Sequence, residues 1–176
     1  MASANNPLAI SGGQYGIVIV VGVFALLALG FAGVLVREVL AVDQGTPKLQ
    51  EISRAVQEGA AAYLNRQFRT LAIFSVIVFI LLLILPVNEG GWSVRIGRAI
   101  FFLVGASFSA MVGYIGMTMA TRANVRVAAA ARNGGKGGFH IAIRTGGIVG
   151  MLTVGLCLLG ATIVLLIFNE HAPTVL

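Results

Sequence analysis

Six carboxylates, two histidines and one thiol are the groups of this chain from which acid–base or metal chemistry could be built. Paired carboxylates for proton transfer, or oxygen ligands for magnesium, must stand close together. Here they are scattered. Asp43 is the one aspartate, with Glu38 its nearest acidic neighbour, and it reads as a turn residue beside Gly45. Glu51 and Glu58 lie seven apart, with Arg54 between them. That spacing suits surface ion pairs along one helix face better than catalysis. His140 and His171 fall in segments expected on opposite sides of a membrane, so they share no metal. Cys157 is alone in the middle of an apolar run, where it reads as a buried small hydrophobe. Gly134-Gly135-Lys136-Gly137-Gly138 lacks the Ser or Thr and the preceding strand of a phosphate loop. Arg122 and Arg126 are one helical turn apart. They read as snorkelling anchors, or as partners of Glu51 or Glu58 on a neighbouring helix. No catalytic, cofactor-binding or metal residue is therefore assigned in this chain.

The elements that would position such residues are membrane helices. Four stretches carry no charge: 17–36, 70–88, 99–121 and 145–169. Each is about the length of an apolar helix that crosses a bilayer. A helix satisfies its own backbone there. The expected class is all-α: a single polytopic membrane domain over 1–176. Its spans are about 16–37, 69–87, 98–121 and 144–168. Ion paths through bilayers use intramembrane ionisable groups, and these stretches have none. Only 10% of the residues are charged, well below a soluble domain. The first run follows a segment without Lys or Arg and exceeds a signal-peptide core, so it reads as a retained helix.

Lys and Arg distribution gives orientation. Residues 37–69 hold five (Arg37, Lys48, Arg54, Arg66, Arg69), and 122–144 hold five (Arg122, Arg126, Arg132, Lys136, Arg144). The loop 89–98 holds Arg95 and Arg98, and the tails hold none. The positive-inside rule places 37–69 and 122–144 in the cytoplasm and both termini outside. With its basic residues split among loops, the net charge of +6 does not signal nucleic acid.

Two helices overrun the membrane. Thr46 and Pro47 mark a helix start, and Leu49, Ile52, Val56, Ala60, Leu64 and Phe68 follow at helical spacing. One helix is expected from Pro47 to Leu85, unbroken at Gly59, with 47–68 in the cytoplasm. Pro86 and Asn88–Gly91 end it, and Trp92 falls at the depth of an aromatic belt. The third span continues through 122–132 until Asn133–Gly138 stops it as a loop. The extensions are expected to meet through Leu49, Ile52, Val56 and Ala60 on one and Val125, Ala128 and Ala129 on the other. Glu51 or Glu58 would reach Arg122 or Arg126 at the rim. Gly105, Ser109 and Gly113, and separately Gly146 and Gly150, form small-residue stripes suited to close helix contact.

Three segments carry a family resemblance: Glu51–Thr70 (EISRAVQEGAAAYLNRQFRT), Gly113–Arg126 (GYIGMTMATRANVR) and Ala142–Met151 (AIRTGGIVGM). Together they resemble the N-terminal part of the membrane-integral pyrophosphatases, pumps that hydrolyse pyrophosphate and export protons or sodium ions. The resemblance runs from about residue 15 to 170, a minor part of a typical member. It implies that the aspartate-rich motifs for magnesium and pyrophosphate, and the ion-gate carboxylates, lie outside this chain. It also implies an outer, supporting ring for these four helices. The implied partners are the bilayer, the remaining helices of the pump and a second copy in a homodimer. Taken alone, the chain is expected to be inactive. The alternative is a small membrane scaffold or accessory subunit.

Overall fold

The computed structural model describes residues 12–86, 91–132 and 136–167. They form four helices: α1 Gly12–Ala41, α2 Pro47–Ile84, α3 Gly91–Ala131 and α4 Lys136–Ile167. All four are long and apolar enough to cross a membrane. At 1.5 Å per residue α2 is about 57 Å long and α3 about 62 Å. Both exceed a hydrocarbon core of about 30 Å. The polytopic all-α reading holds. α2 also runs unbroken through Gly59.

Helix ends differ from expectation in three places. α1 begins at Gly12, within the segment expected as a polar tail, and runs on to Ala41. α3 begins at Gly91, so Trp92, Arg95 and Arg98 are helical and not part of a loop. α4 begins at Lys136 and takes in Gly137, Gly138 and His140, which the glycine-rich stop signal had placed before it. Residues 1–11, Glu89, Asn133 and 168–176 with His171 lie outside the described residues.

The helices form a row and not a closed bundle. Its order is α1, α4, α3, α2, and α2 touches α3 alone among the described helices. A cluster of Leu35, Val39, Met119, Ala123, Ile141 and Ile148 ties α1, α3 and α4 together toward the α1–α2 turn. Elsewhere glycine allows close approach. A Cβ at Gly155 would lie 2.8 Å from Leu29 and 3.2 Å from the Ala25 carbonyl oxygen. A Cβ at Gly138 would stand 3.0 Å from the Val127 carbonyl oxygen. The expected stripes do not make such contacts. A Cβ at Gly105, Gly146 or Gly150 would meet nothing within 4 Å, and one at Gly113 would only graze Phe68 at 4.0 Å. In a row each inner helix leaves two faces open, and those stripes lie on open faces.

The α2–α3 contact also turns differently. Ile52 and Val56 are 56% and 48% exposed. The face toward α3 carries Ser53, Leu64 and half-buried Gln57, Ala60 and Phe68. Gln57 Nε2 donates to Ser53 Oγ at 2.9 Å along that face. On α3, Val125 is buried and Ala129 half-buried as expected, whereas Ala128 is exposed.

Candidate functional site

Charged groups serve helix ends in this structure. The α1–α2 connection is a tight turn over 42–46, with Gly45 at φ +75°. A Cβ there would sit 2.8 Å from Ala129 Cβ and 3.2 Å from Leu49. The left-handed conformation and the close approach both require glycine. Pro47 occupies the start of α2, but Thr46 makes no side-chain capping bond. Gln50 does the local tethering, donating from Nε2 to the Gly45 carbonyl at 3.0 Å.

Arg126 of α3 holds this turn from the other side. Its Nη2 donates to the Leu40 carbonyl at 3.0 Å and its Nε to the Val42 carbonyl at 3.0 Å. Nη1 donates to the Arg122 carbonyl at 2.6 Å. The last carbonyls of a helix lack intrahelical donors and carry the negative end of its dipole. A guanidinium, with five donors in a fixed fork, answers both needs. Arg126 is only 6% exposed. Burial first, and the nearby charge of Arg122 second, lower its pKa from the ordinary value. A guanidinium still keeps its proton at neutral pH.

Arg98 repeats the device near the other end of α3. Its Nη2 donates to the carbonyls of Leu82 at 2.6 Å and Leu85 at 3.1 Å, where α2 ends. Beside it, Arg95 stands 5.6 Å from the Trp92 ring centroid, a cation–π contact. α3 thus caps α1 at one end and α2 at the other, with the two caps about 42 Å apart along its axis.

The expected ion pairs are replaced. Among the described residues none joins Glu51 or Glu58 to Arg122 or Arg126. The pair present is Arg144 Nη1 to Glu38 Oε2 at 3.2 Å, which links α4 to α1 with both side chains about half exposed. Arg126 instead spends its donors on backbone carbonyls. Sequence reasoning missed this because carbonyls carry no residue-type signal. The available hint was an arginine placed to face a short turn that closes a helix.

The remaining candidates stay apart. Asp43 is exposed in the turn. His140 Nδ1 lies 3.1 Å from the Lys136 carbonyl, one turn back on its own helix. Cys157 is exposed on α4 and not buried as its mid-span position suggested, because its side of α4 meets no neighbouring helix in the row. Among the described residues no three His, Cys, Asp or Glu side chains gather as metal ligands would. Among the described residues the charged groups brace helices.

Comparison with known proteins gives the context of this brace. The profile of the inorganic H+ pyrophosphatase family matches residues 26–176. A Streptomyces avermitilis protein named K(+)-insensitive pyrophosphate-energized proton pump is 53% identical over 174 residues, covering 91% of this chain and 22% of that protein. A Streptomyces coelicolor protein of the same name is also 53% identical, over 93% of this chain and 22% of its own length. One from Chloroflexus aurantiacus is 42% identical over 88% and 22%. The chain spans about a fifth of the length of these relatives. With the profile covering most of its residues, the chain belongs to the inorganic H+ pyrophosphatase family.

Proposed function

We propose that this chain is the N-terminal, outer-ring part of a membrane pyrophosphatase that couples pyrophosphate hydrolysis to proton export. The observation that carries the reading is its 53% identity to proteins named as pyrophosphate-energized proton pumps. Those names also favour protons over sodium and a pump that does not respond to potassium. The role of this part is support. Its apolar stretches carry no Asp, Glu, Lys, Arg or His, and its buried arginine is committed to carbonyls.

The spans are about 16–37, 69–87, 98–121 and 144–168, with 47–68 and 122–132 extending into the cytoplasm. Both termini face outward, a reading supported by ten Lys and Arg in the two inner segments against two in the outer loop. The extended α2 and α3 brace the cytoplasmic mouth where pyrophosphate enters, and the parent pump is a homodimer. Magnesium takes oxygen ligands such as carboxylates and substrate phosphates. The described residues of this chain bring no such set together, so the metal belongs to later parts of the parent.

The test has two arms. Vesicles holding the purified chain are assayed for magnesium-dependent phosphate release and proton uptake. Release above an empty-vesicle control refutes the supporting role. Reading the gene beyond codon 176 tests the parent: Asp-rich membrane spans in frame uphold the pump, and a stop codon favours the small scaffold.

A further inference from the structure

The first half of α2 is made for contact on two sides and has it on one. Residues 47–69 carry Lys48, Glu51, Arg54, Glu58, Arg66 and Arg69, whereas 70–84 carry no charge. At 3.6 residues per turn, the surface of 47–69 divides into three sectors. One faces α3 through Ser53, Gln57, Ala60 and Leu64. A second holds Glu51, Arg54 and Glu58 and suits water. The third holds Ile52, Ala55, Val56, Gly59, Ala62 and Tyr63, all exposed. It is uncharged over about 17 Å of helix. Ile52 is 56% and Tyr63 58% exposed. A contiguous apolar face left in water marks a binding surface.

Among the described residues no element of this chain covers that face. α2 touches α3 alone, and a Cβ at Gly59 would meet nothing within 4 Å. Lipid does not reach it. Val56 and Ile52 stand about 21 and 27 Å along α2 from Thr70, where the uncharged run begins. Headgroups add only about 5–8 Å to each side of the hydrocarbon. A second copy is also a poor fit. Lys48 and Arg66 close the face at its two ends, about five turns apart. Both are exposed, and neither joins an ion pair among the described residues. Two copies packed antiparallel bring Lys48 against Arg66, and packed parallel they bring each cation against itself. Like charges meet either way, which opposes association. The face suits an apolar helix with carboxylates near its ends. The relatives have room for one, because this chain spans only 22% of the length of the Streptomyces proteins.

We propose that this face seats a helix from the part of the parent pump that follows residue 176, packed on Val56 and Gly59 with carboxylates toward Lys48 and Arg66. The inference rests on the reading of the chain as the N-terminal part of a longer pump.

The experiment compares the 176-residue chain with the full product of its gene, both in a Cys157→Ser background and in the same detergent. Ala62→Cys and Glu58→Cys are labelled with a water-soluble maleimide, and each site is read by peptide mass. Position 62 is expected to label about tenfold more slowly in the long protein than in the short chain, while position 58 labels alike in both. Val56→Arg, at a side chain exposed in the short chain, leaves the thermal unfolding of that chain unchanged and restores fast labelling at 62 in the long protein. A photoreactive phenylalanine at position 55 cross-links to residues beyond 176 of the same molecule. Equal labelling at 62 in the two proteins overturns the inference. So do slow labelling that survives Val56→Arg and a cross-link that joins two copies, which would give the face to a dimer. A stop codon after 176 overturns the pump reading itself, and the occupant with it. Equal labelling in a genuine longer pump overturns this inference alone.

Discussion

The Arg126 guanidinium donates to the Val42 carbonyl at 3.0 Å across 84 positions of chain. With the bond to Leu40, this makes one side chain of α3 the clasp of the α1–α2 turn. Arg126→Ala leaves both carbonyls without their donor in a buried place. An unmet buried polar group costs about 1–3 kcal/mol, so a loss of roughly that size or somewhat more is expected. Arg126→Lys recovers only part of it, because a single ammonium cannot reproduce the fork. Reversible unfolding in mixed micelles, followed by helicity, measures both. Equal stability of the Ala and Lys variants would sink the forked-cap account.

Gly45→Ala is expected to be costly for two separable reasons. The left-handed conformation costs about 1–2 kcal/mol in an L-residue, and the new Cβ collides with Ala129 at 2.8 Å. Adding Ala129→Gly removes the collision and not the torsional strain. The double variant should therefore fall between wild type and Gly45→Ala. Full recovery in the same unfolding assay would remove the backbone term.

The Glu38–Arg144 pair is half exposed, and exposed pairs contribute about 0–1 kcal/mol. A double-mutant cycle with Glu38→Gln and Arg144→Gln should give a coupling within that range that shrinks with added salt. A larger, salt-independent coupling would mean that the pair is sheltered in the assembled protein.

Glycines divide by contact and not by motif. Gly155→Ala pushes a methyl toward Leu29 and the Ala25 carbonyl, and overpacking of this kind costs about 1–3 kcal/mol. Gly146→Ala and Gly150→Ala meet open space and should stay within about 0.5 kcal/mol. Comparable losses at all three positions would refute the row arrangement.

Orientation is checked by labelling. Lys136→Cys in a Cys157→Ser background should be blocked from impermeant maleimides in intact cells and react after permeabilisation. External labelling at 136 reverses the proposed topology.

That four helices are long and apolar enough to cross a membrane was legible because hydropathy and charge mark them directly. Helix lengths were legible because no breaker stands between Pro47 and Leu85 except Gly59. Facing was not. In water an apolar stripe points inward, so Ile52 and Val56 were assigned to the α2–α3 contact. Within the spans lipid is as apolar as leucine, and small or polar residues carry the contacts; Ile52 and Val56 lie in the extension expected outside the membrane, so their exposure has no such explanation. Ser53, Thr121, Thr145 and Thr162 are buried here, while Phe24, Phe74 and Ile84 are exposed. Thr145 satisfies its hydroxyl on the Ile141 carbonyl at 2.8 Å, so its burial leaves no unmet donor. The Arg126 and Arg98 clasps escaped for a related reason: their acceptors are backbone, which every residue has.

The order of the row has a consequence for biosynthesis. α4 is made last of the four, yet it stands between α1 and α3. α1 and α2 leave the ribosome first and do not touch, so their early association cannot be what seats them. The α2–α3 hairpin can form as soon as α3 is complete. α1 is then tied to that hairpin through the turn at Gly45 and the Arg126 bonds to Leu40 and Val42. Its main partner arrives only when α4 slides into the gap. The fourth helix is thus the keystone of this row, and truncation before residue 136 would leave α1 without its main partner.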